Sequence, residues 1–403
     1  MKQVQEPTYA RFITAEIPRF DDRNTAFSKG QREGNKYSSM HEQCVENLKK
    51  CREGKTAIDA ATFSAGATVD YVVRKNLLGR EMLPVYNTGH RLRSPDPEKI
   101  SRIVKEKARW LGADLVGVAE TDPRWIYTHW GEQNVRYSRA ADVGDPIEIA
   151  EQHPYVIVMA HAMGYEMVRR SPAVEADTDL EYSRGAWCSA SLATFIAELG
   201  YRALPAVNEI GINVALAVDA GLGEAGRHGL LITRDYGPRV RISKVFTNLP
   251  LVPDRPIDIG VQKFCEVCKL CSRYCPSHAL MNGERTDQPW DLHNVPGMKK
   301  WPIKAMNCLD FWVKNGNHCS VCIRVCPWNK PNGLLHRLVR VLAERNLMSR
   351  AIVYFDQLLG YGKQTRDLGH QIDAQMESIH VDRSCHAARA TEPEHAPSAP
   401  RTS

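Results

Sequence analysis

The chain has 403 residues, 43% of them hydrophobic and 25% charged, with a formal net charge of +6. That length supports two or three packed units, and the balance is that of a globular protein rather than a disordered or fibrous one. The basic residues are spread along the chain instead of massed in a block, so charge gives no ground to expect a nucleic-acid partner, and no apolar run has the length of a bilayer span.

Residues 1–100 are polar and punctuated by Pro and Gly, with one helical patch over His41–Cys51. The opening stretch MKQVQEPTYARFITAEIPRF lacks the succession of basic, apolar and small residues that marks a signal peptide. The expected location is therefore the cytoplasm, or that of the mature form of an exported protein. Lys99–Leu111 spaces its apolar residues as an amphipathic helix, and Ala113–Ala119 reads as a buried strand. The stretch 120–152 is rich in aromatic and charged residues without a clean period, as expected of a long loop or lid.

A strand follows at Tyr155–Met159, then a long helix from about Leu180 to Leu199, stopped by Gly200. Ala203–Val207 is predicted as a short strand, Asn213–Ala220 as a helix, and Leu230–Thr233 and Arg239–Thr247 as strands. Leu334–Leu347 and Ile352–Leu359 read as helices, periodicity ends near Gly362, and the closing ATEPEHAPSAPRTS has the composition of a disordered tail. These elements divide the chain into an N-terminal unit (1–100), a core (101–258) with its lid at about 120–152, a cysteine module (259–330), two helices completing the core (331–365), and a tail (366–403).

Twelve cysteines need an explanation, and eight of them fall into two sets. Cys265, Cys268, Cys271 and Cys275 follow C-x2-C-x2-C-x3-C with Pro276 next, the run of bacterial two-cluster ferredoxins. Cys308, Cys319, Cys322 and Cys326 form the second set, again followed by a proline, Pro327, with the first spacing stretched to ten residues. Three thiolates on one tight loop reach three irons of a cubane, while the fourth, past a turn, points to the neighbouring cluster. One 4Fe–4S cluster is thus expected on Cys265, Cys268, Cys271 and Cys326, the other on Cys275, Cys308, Cys319 and Cys322.

Paired CxxC motifs also make four-thiolate zinc sites, but zinc needs neither three cysteines at successive x2 spacings nor the trailing prolines. Cys44, Cys51, Cys188 and Cys385 stand outside the pattern. A disulfide framework suits neither the length nor the uneven placement, and Cys188 is read as a buried thiol. A third motif, Gly221-Leu-Gly223-Glu-Ala-Gly226, matches G-x-G-x-x-G but has a helix before it and a strand after it. That is the reverse of what a dinucleotide site needs.

At Glu16–Ser28 (EIPRFDDRNTAFS), Ala220–Thr233 (AGLGEAGRHGLLIT) and Arg239–Pro250 (RVRISKVFTNLP) the chain resembles the catalytic subunits of corrinoid- and iron–sulfur-dependent reductive dehalogenases. The most specific match runs from Trp301 through Cys308-Leu-Asp-Phe-Trp312 to Cys326-Pro-Trp-Asn-Lys330, and the whole covers roughly Glu16 to Lys363. The resemblance implies an α+β or α/β fold, with a nitroreductase-like core holding a base-off cobalamin beside an inserted two-cluster ferredoxin-like module. Gly221, Gly223 and Gly226 would then approach the corrinoid.

The implied reaction replaces carbon–halogen by carbon–hydrogen, with two electrons delivered through the clusters and a proton from a tyrosine. Tyr182 matches that tyrosine, with Asn208 and Arg241 as its neighbours. Arg241 would favour ionisation of the phenol, as a nearby guanidinium does, and Asn208 would hold substrate or halide by hydrogen bonding. Trp125, Tyr127, Trp130 and Trp187 are candidates to line an apolar substrate pocket. The implied partners are a small halogenated organic compound, an electron-donor protein or a membrane anchor tied to the quinone pool, and a second copy of the chain.

The twin-arginine export signal usual in the family is not seen, and the tail after about Arg366 departs from it. Epoxyqueuosine reductase, a tRNA-modifying enzyme with the same cofactors, shares the GLG turn and the CPWN ending. Its D-Y-H motif is absent, the comparable position reading Glu181-Tyr182-Ser183-Arg184. A lone ferredoxin-like electron carrier would explain the cysteines but leave the upstream residues without a purpose.

Overall fold

A computed structural model describes residues 2–49, 57–87, 89, 91–172, 177–331 and 333–365. Its centre is a four-stranded sheet of β1 (Leu115–Glu120), β2 (Tyr155–Ala162), β3 (Ala203–Ala206) and β4 (Val240–Thr247), in the order β1-β2-β4-β3. Every pair is antiparallel, which is the α+β form of the expected architecture. The register of β2 on β4 runs from Tyr155 opposite Thr247 to Ala162 opposite Val240 and sets His161 across from Arg241.

The central strand is apolar on both faces because both are covered. Ile157 and Met159 face a layer of two helices, α3 (Pro97–Trp110) and α4 (Asp177–Glu198), meeting Val104, Ala108, Leu192 and Ile196. Val156, Val158 and Ala160 alternate to the opposite face, where Trp125, Trp130, Phe246 and Leu216 close the second core. Helix α3 starts where Asp96 accepts hydrogen bonds from the backbone N–H groups of Glu98 and Lys99, with Pro97 at the first position. Asp177 and Asp179 occupy the first turn of α4, favourably placed against its dipole.

Two expectations are corrected here. The N-terminal unit holds more than one helix: besides α1 (Lys36–Lys49) it contributes α2 (Ala57–Leu77), a 21-residue helix lying along α4. Its small and β-branched residues carry little amphipathic signal. The contact itself shapes it, since the Ser183 hydroxyl takes the Asp70 N–H at 2.9 Å and donates to the Gly66 carbonyl. The stretch 120–152, expected as a lid, is packed instead. Trp125, Ile126, Trp130 and Ile147 are all buried, and Arg19 ties the stretch down through the carbonyls of Tyr127 and Ile147.

The cysteine module begins with α6 (Val261–Val267), α5 (Asn213–Asp219) belonging to the core before it, and continues through α7 (Ala305–Asn315). The two helices expected to complete the core, α8 (Leu334–Glu344) and α9 (Ser349–Leu358), bury Ala343, Ile352 and Val353 in the same apolar cluster as Phe264 and Trp328 of the module. The apolar residues they do bury pack on the module rather than on the sheet, whose two faces are already filled. No helix among the described residues is long and apolar enough to cross a membrane. The tail 366–403, Cys51 and Cys385 lie outside the described residues.

Candidate active site and cluster-binding module

Three elements meet at Tyr182. Helix α4 carries it in the second turn, the loop after β3 carries Asn208 and Glu209, and β4 carries Arg241 and Lys244. The Asn208 amide Nδ2 lies 3.3 Å from the Tyr182 hydroxyl. The Arg241 guanidinium stands 5.7 Å from the Tyr182 ring centre and donates to Thr178 Oγ1 at 2.6 Å, one helical turn before Tyr182. The fold thus gathers Tyr182, Asn208 and Arg241, which lie far apart in the chain.

Behind this trio sit charged groups that no period or motif singles out. Arg74 of α2 is 5% exposed, donates to Glu209 Oε1 at 2.5 Å and lies 3.6 Å from Asp70. Its guanidinium also stands 6.0 Å from the Tyr182 ring. Burial alone would raise the Glu209 carboxyl, but the Arg74 charge and hydrogen bond bring it below its ordinary value. Lys244 is fully buried, its amine held by the Val207 carbonyl at 2.7 Å and Asn213 Oδ1 at 2.5 Å, and burial pushes it down to about 7. The loop bearing Asn208 and Glu209 continues into Ile210 at φ 76°, a left-handed position that a β-branched residue takes only under constraint.

Burial also raises several carboxyls, among them Asp22 and Asp219 to about 6, and Glu181 to about 7 although Arg184 lies 2.6 Å away. Each binds its proton more tightly folded than unfolded. The stability they contribute is present below about pH 4, the ordinary carboxylate range, and is lost as pH rises through 6 to 7. Asp219→Asn should therefore show a flatter fall in urea midpoint between pH 4 and 7 than the parent. An unchanged slope would count against this assignment.

The aromatic candidates separate. Trp125, fixed by its Nε1 on Asp219 at 2.9 Å, and Trp130 are core residues, while Trp187 is 55% exposed on the outer side of α4. Tyr127 is packed against the same core as Trp125. Cys188 is buried with its thiol pushed up to about 12 by burial, an inert group as its surroundings suggest. A cavity of about 550 Å³ opens elsewhere, between the start of β1 and α8, lined by Asp114, Arg234, Tyr236 and Arg340; Tyr182, Asn208 and Arg241 do not line it.

The glycine motif meets its own chain. A side chain at Gly221, which has φ +72°, would strike the Arg255 carbonyl at 2.5 Å, and one at Gly223 the Ile232 carbonyl at 2.2 Å. Gly226 is closed in by Ile232 and His228. The motif leads from α5 into a short hairpin, Glu224–Ala225 with Leu231–Ile232, so the close approaches seen here are to the chain's own backbone.

The eight cysteines of the module converge as two neighbouring groups. Cys326 lies within electrostatic reach of Cys265, Cys268 and Cys271, and Cys275 within reach of Cys308 and Cys322. Cys271 and Cys322 lie within electrostatic reach of each other across the boundary. Burial pushes the thiol of Cys265 up to about 11 and those of Cys268 and Cys308 to about 12. Thiols crowded this way would ionise together only beside a compensating cationic centre, such as the iron of a cluster would supply.

Among the described residues no three His, Cys, Asp or Glu side chains close in on a point as a single metal ion requires. Thiolates on the corners of a cubane stand farther apart. No disulfide joins any two of the described cysteines. Arg227, 1% exposed, braces the first group by donating to the Cys265 carbonyl at 2.9 Å and to the Met281 and Gly283 carbonyls, with its guanidinium over Trp301 at 4.3 Å. It sits just past the glycine motif, and nothing in its neighbours along the chain announces the role.

Residues 264–329 match the family described as 4Fe-4S double cluster binding domain. The chain is 38% identical over 309 residues to the tetrachloroethene reductive dehalogenase of Sulfurospirillum multivorans, a match covering 71% of this chain and 62% of that one. It is 37% identical over 311 residues to the enzyme of the same name from Desulfitobacterium hafniense strain Y51, with 69% and 56% covered. Among solved structures it is similar to the catabolic reductive dehalogenase NpRdhA in complex with 3-bromo-4-hydroxybenzoic acid, with a TM-score of 0.68, 26% identity, and coverage of 90% of this chain and 49% of that one. The chain thus spans about three fifths of the length of the curated relatives and half of the solved one. In sequence and in fold alike, the chain is related to the reductive dehalogenases.

Proposed function

We propose that the protein reductively dehalogenates a small organic halide, taking up two electrons and one proton and releasing a halide ion as carbon–halogen becomes carbon–hydrogen. The observation that carries this reading is the meeting of Tyr182, Asn208 and Arg241 in a chain that also gathers two four-cysteine groups. Cys265, Cys268, Cys271 and Cys326 would hold one 4Fe–4S cluster, and Cys275, Cys308, Cys319 and Cys322 the other.

A base-off corrinoid, when bound, would supply the cobalt reductant and nucleophile that the amino acids lack. The residues present suit a large polar ligand: Arg241 keeps a buried Nε without a partner, and Asn329 of the CPWN segment, 1% exposed, has both amide atoms unpartnered. The antiparallel sheet with its helices is read as the nitroreductase-like core for that ligand. Gly221, Gly223 and Gly226 would serve it only through the hairpin they shape.

Tyr182 is the proton donor, its O–H aimed away from Asn208. Asn208 orients the substrate or the departing halide, and Arg241 fixes the phenol from the ring side while its Thr178 contact holds it to α4. Electrons would arrive from a donor protein or a membrane anchor, and a second copy of the chain and an exported mature form belong to the same proposal.

Anaerobic reconstitution with iron, sulfide and cobalamin tests it. About eight iron, as two Cys-ligated cubanes require, and one cobalt per chain are expected, with halide released from a panel of chlorinated ethenes and halogenated phenols under a low-potential donor. Zinc in place of iron, or no retained cobalt, overturns the reading. Conversion of epoxyqueuosine in tRNA without halide release would replace it.

A further inference from the structure

A run of hydrogen bonds leads from the deepest cation of the core to the hydroxyl of Tyr182. The Lys244 amine, enclosed on β4, donates to Asn213 Oδ1 and to the Val207 carbonyl. Asn213 Nδ2 donates to the same Val207 carbonyl at 2.9 Å and to Asn208 Oδ1 at 3.1 Å. Asn208 Nδ2 then faces the Tyr182 oxygen.

The direction of every bond follows from chemistry at one end. In its protonated form Lys244 has donors and no acceptor, and a backbone carbonyl only accepts. Lys244 therefore requires the oxygen of Asn213 toward itself, and Val207 requires the nitrogen toward the carbonyl. With Asn213 held in that sense, Asn208 must turn its oxygen to Asn213 and its nitrogen to Tyr182. The Tyr182 oxygen becomes an acceptor, and its own proton is left for the open side.

We propose that Lys244, through Asn213, is a positioning residue that sets the hydrogen-bond polarity at Tyr182, so that the phenol keeps its proton for substrate instead of spending it on Asn208. The inference rests on the reading of Tyr182 as proton donor. Lys244 does not touch Tyr182, and its effect passes through two amide side chains, the nearer of which the Val207 carbonyl alone would hold less firmly.

Asn213→Asp discriminates this from a purely structural role. The carboxylate still pairs with Lys244 but cannot donate to Asn208, which must reverse and present its oxygen to Tyr182. Ultraviolet Raman spectra of the as-isolated protein report the change, because the intensity ratio of the tyrosine ring doublet differs between a phenol that accepts and one that donates. The Tyr182 contribution is taken as the difference from the matching Tyr182→Phe protein. Wild type should show the acceptor pattern, Asn213→Asp the donor pattern, and Lys244→Met a value between them.

In the reconstituted enzyme, Asn213→Asp should lose about 100-fold in turnover, the lower end of what a positioned proton donor supplies, with KM and iron content unchanged. A donor pattern in wild type overturns the proposal, as does a doublet indifferent to both variants. Lys244→Met decides alone if the carboxylate variant does not fold. The Raman result needs no dehalogenation, so failure here is distinguishable from failure of the proposed reaction.

Discussion

Tyr182→Phe is expected to retain iron and cobalt at wild-type levels while halide release falls by roughly 10²–10⁴-fold, the range that general acid catalysis supplies. The substitution removes one oxygen from a half-buried ring whose packing neighbours, Leu78, Ala186 and Val207, stay in place. The fold should tolerate it, since the Asn208 amide loses one 3.3 Å hydrogen bond and keeps its bond to Asn213. A loss in turnover at constant cofactor content would identify the hydroxyl as the proton source. Near-normal halide release would remove Tyr182 from the reaction and leave Arg241 and Asn208 without their common partner.

Arg74→Met should cost about 3–5 kcal/mol of stability, read as a shift in the chemical denaturation midpoint. Removing one partner of a buried ion pair strands the other, and Glu209, whose side chain has no exposed area, would be left beside Asp70 without its cation. Neutralising the stranded group should restore part of the loss, so the double variant Arg74→Met/Glu209→Gln is expected to be more stable than Arg74→Met alone. If both proteins unfold at the wild-type midpoint, the pair is energetically idle. The Glu209 carboxyl lies below its ordinary value, so its contribution is present at neutral pH and is lost as pH falls through that lowered value. In Arg74→Met that dependence should weaken or reverse, because burial alone raises a carboxyl.

The two variants test different halves of one arrangement. Arg74 arrives from α2, the helix the sequence does not announce, and reaches both Glu209 and the ring of Tyr182. The N-terminal segment is therefore part of the site's frame. The same holds for the aromatic stretch 120–152: its tryptophans fill the sheet's second face, and the loop bearing Asn208 is tied to it through Asn134, which reaches the Asn208 carbonyl at 3.4 Å. A segment that looked like a movable cover is a wall.

Local patterns carried most of the core elements. Asn213–Asp219, Val240–Thr247, Pro97–Trp110 and the long helix ending at Glu198 lie within a few residues of where periodicity, a cap or a glycine stop puts them. Helix α2 was not legible, because its side chains are small or β-branched and its buried face is defined by α4 rather than by its own period. The glycine motif was legible as a turn in the wrong order for a dinucleotide, and the hairpin it opens, with the Arg255 carbonyl against Gly221, supplies the reason.

What the sequence by itself determined was the ligand chemistry of the module, since eight thiols at fixed spacings and two trailing prolines are local facts about a short stretch of chain. Family resemblance also singled out Tyr182, Asn208 and Arg241. Only the tertiary structure decided that Arg227 braces one of the cysteine groups, and that Lys244, Asn213, Arg74 and Glu209 stand behind Tyr182. The physical reason is that such roles depend on desolvated charges meeting across elements far apart in the chain. Charge pairing and burial of that kind leave no periodic trace in the residues on either side.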